Sequence, residues 1–263
     1  MSFYPLWQTI FAHKCNLLAD KIKVGAVSYL NTKPLLYGLS RPPVIDYIEL
    51  STAYPSQLAR QLRDGEIDVA LLPVAAMQEI PGAHIVSDYG IAAEANVVSV
   101  AVFSQVPMAE IEEVILDYQS RTSVRLTRLL FEEHWKKPVR FIPASENFIG
   151  EIRGNRAGVI IGDRALQQLP NFPYNYDLSK AWTELTGLPF VFAAWVANKP
   201  LPEDFIDRFN EANRMGLDHI DEIADQYAVP YYSLKTYYND NICYRLDAEK
   251  RKGLALFLEK IKE

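Results

Sequence analysis

The chain has 263 residues, of which 49% are hydrophobic and 23% charged, a composition typical of a globular protein with one large or two modest domains. Its net charge of -6 and its lack of a long basic run argue against a nucleic-acid partner, and no stretch is long enough to span a membrane. The two cysteines, Cys15 and Cys243, have neither metal-type spacing nor the pattern of a disulfide framework, which suits a reducing compartment.

The first 20 residues are apolar, but they lack the basic start and the small-residue cleavage site of a secretory signal. We interpret residues 1–20 as an N-terminal extension. The working expectation is a cytoplasmic protein.

Strand and helix signals alternate from residue 21 onward, and they predict a parallel, open α/β sheet. The first five elements are a buried strand over 21–29, a helix from Pro34 to Gly38, a strand over 44–50, a helix over 54–65 and a strand over 67–73. The segment 97–104 is a further strand.

A second run of elements follows in the middle of the chain. It comprises a strand over 112–117, a helix over 120–135, strands over 139–143 and 157–163, and a helix beginning with residues 164–169. The polar and aromatic segment 171–187 is interpreted as a surface excursion, and 188–197 as another long strand. From Glu203 onward the pattern is mostly helical.

The long strands near residues 100 and 193 bracket this middle unit. If each crosses between two lobes, residues 21–102 and 195–263 form lobe 1, and residues 103–194 form lobe 2. Ligand sites in such proteins lie beyond the carboxyl ends of strands and at domain interfaces. The sequence therefore predicts a cleft between two lobes.

Two helix starts are candidates for binding an anion in this cleft. In "SYLNTKP", Asn31 or Thr32 either caps the helix or contacts a ligand, and the spacing favours neither alternative. In "DYQSRTSVRL", Ser120 is a natural N-cap, and Arg121, Thr122 and Ser123 occupy the first turn. Three hydroxyls and a guanidinium exceed what capping requires, so a carboxylate site is favoured there.

Other polar residues give weaker signals. Asp163 ends a strand and starts a helix, where capping is a more common role than binding. Ser99 faces either the cleft or a neighbouring element, and the tyrosines of "VPYYSLKTYYND" line a groove or pack. No nucleophile elbow, phosphate-binding glycine loop or zinc motif occurs, and all four histidines fall outside these loops. The residues alone thus indicate a cleft protein for a small anion.

Several motifs, in order, resemble the chorismate dehydratase family of the futalosine route to menaquinone: "VSYLNTKPL", "GEIDVALLPVAAM", "LDYQSRTSVRLTRLL", "IIGDRAL" and "DLSKAWTELTGLPFVFAAW". One departure is "AAEANVVSV", in which Glu94 and Ala95 replace the Asp and Gly common in that family. The resemblance implies a two-lobed periplasmic-binding-protein-like type II fold with mainly parallel sheets.

The resemblance also implies an activity, the removal of water from chorismate to give 3-[(1-carboxyvinyl)oxy]benzoate without a cofactor. On this basis Asn31 is the expected catalytic residue. The expected substrate-binding residues are Tyr29, Thr32, Ser99, Ser120, Arg121, Thr122, Ser123 and Asp163. The expected partner is a small dianion, with no nucleic acid and no membrane, and the chain is expected to be a monomer or a homodimer.

Three alternatives share the fold and the cleft. A solute-binding protein of a transporter usually carries an export signal, and a sensor lobe usually follows a DNA-binding segment. The sister enzyme, 1,4-dihydroxy-6-naphthoate synthase, has an N-terminal motif rich in Cys, Pro and Asn-Asp that is missing here.

Overall fold

A computed structural model of the protein describes residues 21–117 and 120–262, so the predicted extension over residues 1–20 lies outside the described residues. Helices and strands alternate through most of the described chain. In chain order they are β1 (Ile22–Ala26), α1 (Lys33–Leu39), β2 (Ile48–Thr52), α2 (Pro55–Arg63), β3 (Val69–Pro73), β4 (His84–Ala93), β5 (Val100–Ser104), β6 (Glu113–Leu116), α3 (Arg121–Glu133), β7 (Arg140–Pro143), β8 (Arg156–Ile161), α4 (Asp163–Gln168), β9 (Tyr174–Asp177), α5 (Leu178–Thr186), β10 (Phe190–Ala197), α6 (Glu203–Leu217), α7 (Ile220–Gln226), α8 (Leu234–Thr236), β11 (Cys243–Arg245) and α9 (Ala248–Lys260).

The strands form two sheets. The first has six strands in the order β11-β4-β10-β3-β1-β2, and the second has five in the order β7-β6-β8-β5-β9. The predicted α/β class is confirmed, but the sheets are mixed and not mainly parallel. Both β5 and β10 run antiparallel to each of their neighbours. The reason is that each follows a connection from the other sheet, without a βαβ crossover within its own sheet.

The predicted crossing of the two long strands between lobes is wrong, because each strand lies within a single sheet. All strand partners of β5 lie in the second sheet, and all those of β10 lie in the first. The chain instead passes between the sheets through a linker at Glu94–Ser99, and it returns through α5 and residues 187–189.

The predicted surface excursion over 171–187 is wrong, because this segment contains β9 and α5. Asp177 caps α5, its carboxylate accepting hydrogen bonds from the backbone N–H groups of Ser179 and Lys180. Trp182 is fully buried and meets the rings of Phe190 and Phe257 edge to face. Trp182 thus belongs to the core, whereas Tyr174 of β9 stays exposed.

Helix α1 packs against α6 with close contact between their backbones. A Cβ atom at Gly216 would lie 1.7 Å from the carbonyl oxygen of Pro34, and one at Gly38 would lie 1.9 Å from that of Ala212. Only glycine permits this approach at either position. The contact fixes the start of α1, which immediately follows the turn that contains Asn31.

The hydrophobic core is continuous between the sheets. One cluster of buried side chains includes Val24 and Leu71 of the first sheet together with Val102 and Val159 of the second. Among the described residues, no helix combines the length and the apolarity needed to cross a membrane.

Candidate active site

A cavity lies between the two sheets, and side chains from both sheets line it. Its polar lining residues are Tyr29, Asn31, Thr32, Ser120 and Ser123. The remaining wall is mostly apolar and includes Leu71, Ile91, Val100, Ile161 and Phe192, with the backbone of Gly162. An apolar wall with a few polar groups is typical of a small-molecule site.

Two buried polar atoms at this cavity lack a hydrogen-bond partner within the described part of the chain. They are the amide oxygen Oδ1 of Asn31 and the hydroxyl of Tyr29. Buried polar groups are almost always paired, and an unpaired one costs about 1–3 kcal/mol. Both atoms belong to cavity-lining residues, and a bound ligand with polar groups would satisfy them.

The turn that carries Asn31 is closed by Thr32. The Thr32 hydroxyl lies 2.8 Å from the carbonyl oxygens of both Val27 and Tyr29, to which it donates. Helix α1 has no side-chain N-cap, so the alternative that Asn31 or Thr32 caps it is wrong. The physical reason is that Thr32 has an α-helical backbone conformation, and its hydroxyl hydrogen-bonds backward along the chain instead of to the N–H groups of α1.

The residues at the second predicted helix start have two different roles: some line the cavity, and others contact neighbouring elements. Ser120 caps α3, its Oγ accepting from the backbone N–H of Ser123 at 3.1 Å, and the two serine Oγ atoms are 3.0 Å apart in the cavity wall. The Thr122 hydroxyl instead accepts from the backbone N–H of Ala75 at 3.0 Å, which ties α3 to the turn directly after β3 of the first sheet. Arg121 forms an ion pair with Glu79.

A larger cavity of about 280 Å³ adjoins the first one, and Pro55 and Pro73 line both. Its other lining residues include Tyr54, Ser56 and Arg121. The two cavities are therefore neighbours, and the guanidinium group of Arg121 lines the larger one.

Ser99 lies behind the cavity wall, at the end of the linker Glu94–Ser99. Its side chain is fully buried, and its Oγ accepts a hydrogen bond from the Tyr237 hydroxyl at 2.7 Å. The preceding residue, Val98, has a φ of +56°, a left-handed conformation that is strained for a β-branched side chain. The Asp177 carboxylate accepts from the Val98 N–H at 2.7 Å and holds this turn.

Glu94, where the sequence departs from the family pattern, is not among the residues that line either cavity. Its carboxylate pairs at 2.6 Å with Lys250, whose side chain is only 4% exposed. The substitution thus anchors the linker to α9.

Asp163 follows β8 of the second sheet, and it contacts the turn after β1 of the first sheet that contains Asn31. Its Oδ1 accepts from the backbone N–H of Leu30 at 3.1 Å, whereas α4 has no side-chain cap. The interpretation of Asp163 as a helix cap is therefore wrong. Burial raises the pKa of Asp163, and the Leu30 hydrogen bond and the charge of Lys33 only partly oppose this effect.

This raised pKa predicts how Asp163→Asn changes stability with pH. The folded protein holds the Asp163 proton more tightly than the unfolded chain, so the wild type loses stability relative to Asp163→Asn as the pH rises above about 4. We expect Tm of Asp163→Asn minus Tm of the wild type to be larger at pH 7 than at pH 4. The exposed change Asp46→Asn is the control. A pH-independent difference for Asp163→Asn would contradict the prediction.

The structure thus brings together Tyr29, Asn31, Thr32, Ser120 and Ser123 as predicted neighbours at one cavity. It places the other four predicted residues around that cavity: Asp163 at the turn, Ser99 behind the wall, Thr122 at a contact between sheets and Arg121 in the adjoining cavity. Sequence reasoning missed Gly162 as a lining residue and the contact of Tyr237 with Ser99. The tyrosine-rich segment was a signal, but it did not distinguish packing from a site.

Comparison with solved structures identifies the fold. A protein from Archaeoglobus fulgidus superposes with a TM-score of 0.71 at 15% identity, covering 92% of this chain and 98% of that one. A Candida albicans protein described as having the generic periplasmic binding protein structural fold gives a TM-score of 0.65 at 12% identity, covering 93% and 92%. The fold is therefore periplasmic-binding-protein-like, with a cavity between its two sheets.

Sequence comparison then identifies the family. A model of the menaquinone biosynthesis family matches residues 22–263, and the chain belongs to this family. The chorismate dehydratase of Thermus thermophilus is 28% identical over 259 residues, covering 90% of this chain and 93% of the relative. That of Campylobacter jejuni is 27% identical over 220 residues, covering 81% and 79%.

Proposed function

We propose that this protein is a chorismate dehydratase, which removes water from chorismate to give 3-[(1-carboxyvinyl)oxy]benzoate without a cofactor. The observation that carries the proposal is the buried, unpaired amide oxygen of Asn31 at a cavity that both sheets line. A carbonyl oxygen accepts hydrogen bonds, so it suits the ring hydroxyl of this substrate. Membership of the menaquinone biosynthesis family supports the same reaction.

The substrate is a dianion, and the cavity offers a place for one carboxylate. Ser120 and Ser123 lie at the N-terminus of α3, a helix of 13 residues, where hydroxyls and the helix dipole favour negative charge. The adjoining cavity beside Arg121 has room for the other end of the molecule. We infer that the cyclohexadiene ring lies between them, against the apolar wall.

The reaction breaks two bonds between ring carbons and their substituents, one C–H bond and one C–O bond. A proton leaves the carbon that bears the enolpyruvyl ether, and the electron pair of the broken C–H bond forms the new double bond. The neighbouring carbon loses its hydroxyl group. The hydroxyl group and the proton leave as water, and the ring becomes aromatic, which supplies the driving force. We propose that Asn31 orients the hydroxyl-bearing carbon and that the enolpyruvyl carboxylate of the substrate accepts the proton.

One assay separates this proposal from its rivals. Purified protein is incubated with chorismate, and the products are followed by ultraviolet absorbance and by mass. An aromatic product lighter than chorismate by one water supports the proposal. Bound but unaltered chorismate would favour a non-catalytic binding protein for small carboxylates. If neither aromatic product nor bound chorismate is found, chorismate is not the substrate. A futalosine-derived compound would then test the sister reaction.

Ser123→Ala tests the carboxylate site. We expect KM for chorismate to rise about 10- to 100-fold, because one hydrogen bond to a charged group is worth roughly 1.5–3 kcal/mol, while kcat changes little. Steady-state kinetics checks this, with the exposed Ser145→Ala as the matched control. An unchanged KM would remove Ser123 from the site.

We further propose that the two sheets are the cores of two lobes. One lobe comprises residues 21–93 and 190–262, and the other comprises residues 100–177. We also propose that the protein is located in the cytoplasm. The linker Glu94–Ser99 and the connection through α5 would then be the segments about which the lobes close. Small-angle scattering with and without chorismate tests closure, and cell fractionation tests location. An unchanged scattering profile would argue against closure.

A further inference from the structure

The C-terminal segment contributes a fully buried tyrosine to the surroundings of the site. Tyr237 starts a π-helical turn, Tyr237–Asn241, directly after α8. Turns of this kind are rare and concentrate at functional sites. The Tyr237 side chain has no exposed surface, and its hydroxyl reaches Ser99 of the linker at 2.7 Å.

A count of hydrogens defines what Tyr237 can do. A phenol has one hydrogen, and Tyr237 donates it to Ser99, so the phenol oxygen can only accept further hydrogen bonds. Burial raises the pKa of Tyr237, and its side-chain hydrogen bonds with Ser99 and with Asn31 partly oppose this rise. The group of Asn31 that can donate there is its amide nitrogen.

A second tyrosine of the same segment holds the Asn31 backbone. The Tyr244 hydroxyl donates to the carbonyl oxygen of Asn31 at 3.0 Å, and Tyr244 is itself buried. With its backbone held there, the Asn31 side chain can still rotate about χ1 and χ2, and a half-turn about χ2 exchanges the nitrogen and oxygen ends of the amide. An amide nitrogen directed at Tyr237 leaves Oδ1 as the end without a partner, and Oδ1 is indeed buried and unpaired within the described residues.

We propose that Tyr237 is a positioning residue that links the Ser99 hydroxyl and the Asn31 amide, and so sets which end of that amide meets the substrate. The proposal rests on the assigned role of Asn31 in chorismate dehydration. Its structural part, the orientation of the amide, can be tested without turnover.

Tyr237→Phe is the test variant, and Tyr238→Phe is its matched control. Tyr238 is the adjacent residue, its ring is equally buried, and its hydroxyl has no hydrogen-bond partner among the described residues. We expect Tyr237→Phe to lower kcat about 10- to 100-fold, as misorientation of a reacting group does, with little change in KM. Tyr238→Phe should keep both constants within about twofold of wild type. Equal kinetics for the two variants would overturn the proposal.

Nuclear magnetic resonance of protein labelled with ¹⁵N at asparagine supplies the second measurement. The Asn31 side-chain signals, assigned by their loss in Asn31→Ala, should shift and exchange faster with water in Tyr237→Phe but not in Tyr238→Phe. Ser99→Ala, which removes the acceptor of the Tyr237 hydrogen, should give the same spectral change and serves if Tyr237→Phe does not fold. Unshifted Asn31 signals in Tyr237→Phe or Ser99→Ala would overturn the positioning role. If wild type leaves chorismate unaltered, the proposed function fails, and these spectra still decide the role of Tyr237.

Discussion

Asn31→Ala is expected to lower kcat for chorismate dehydration at least about 10²- to 10³-fold, the usual effect of removing one preorganised hydrogen-bonding group from an active site. The amide oxygen of Asn31 is the buried, unpaired acceptor at the cavity, and alanine cannot replace it. The measurement is a single-turnover assay that follows aromatic product by mass.

The fold should survive this substitution. Asn31 uses its backbone carbonyl, not its side chain, to bind Tyr244, and the alanine variant retains that contact. The oxygen of the amide has no protein partner to lose, and the contact of its nitrogen with Tyr237 is worth only about 1 kcal/mol, so the variant should remain folded with a modest decrease in Tm. Asn239→Ala removes an exposed asparagine side chain and should keep wild-type kcat. A wild-type rate in folded Asn31→Ala would exclude Asn31 from catalysis.

Gly216→Ala is expected to lower the free energy of unfolding by about 3 kcal/mol, the upper range for overpacking a core. The new Cβ would lie 1.7 Å from the Pro34 carbonyl oxygen, which belongs to the backbone of α1 and cannot rotate away. The better helix propensity of alanine, worth about 1 kcal/mol, would offset only part of this cost. Urea denaturation measures the change.

Gly150→Ala is the matched control, since no atom lies within 4 Å of a Cβ built there. It should unfold at nearly the same urea concentration as wild type. Because α1 begins directly after the Asn31 turn, Gly216→Ala should also lower kcat by displacing that turn. Equal stability of the two alanine variants would show that α1 and α6 can separate without cost.

Much of the fold was predictable because its signals are local. Pro55 and the apolar spacing after it define α2, and the Val- and Leu-rich runs define β3 and β5. The strand β4 was not predicted, since His84, Ser87 and Asp88 interrupt its apolar pattern, although it lies between β10 and β11. The prediction of mainly parallel sheets was wrong because the direction of a strand depends on which sheet the chain has just left. No local sequence pattern contains that information.

The site was predictable in part for the same reason. Ser120 has the sequence environment of a helix cap, and it caps α3. Asp163 has a similar environment, yet its carboxylate accepts from Leu30, which is 133 residues away in sequence. A local pattern shows that a polar group lies at a helix start; it does not show which element packs opposite.

The sequence by itself determined the α/β class, the anion-favouring start of α3 and the resemblance that led to chorismate, because residue periodicity, capping and motif order are properties of neighbouring residues. Only the tertiary structure decided that Thr122 ties the sheets together, that Tyr237 binds Ser99 across 138 residues of sequence, and that Asn31 keeps an unpaired oxygen at the cavity. Hydrogen-bond partners of buried side chains depend on which distant elements the folded core brings within about 3 Å of each other.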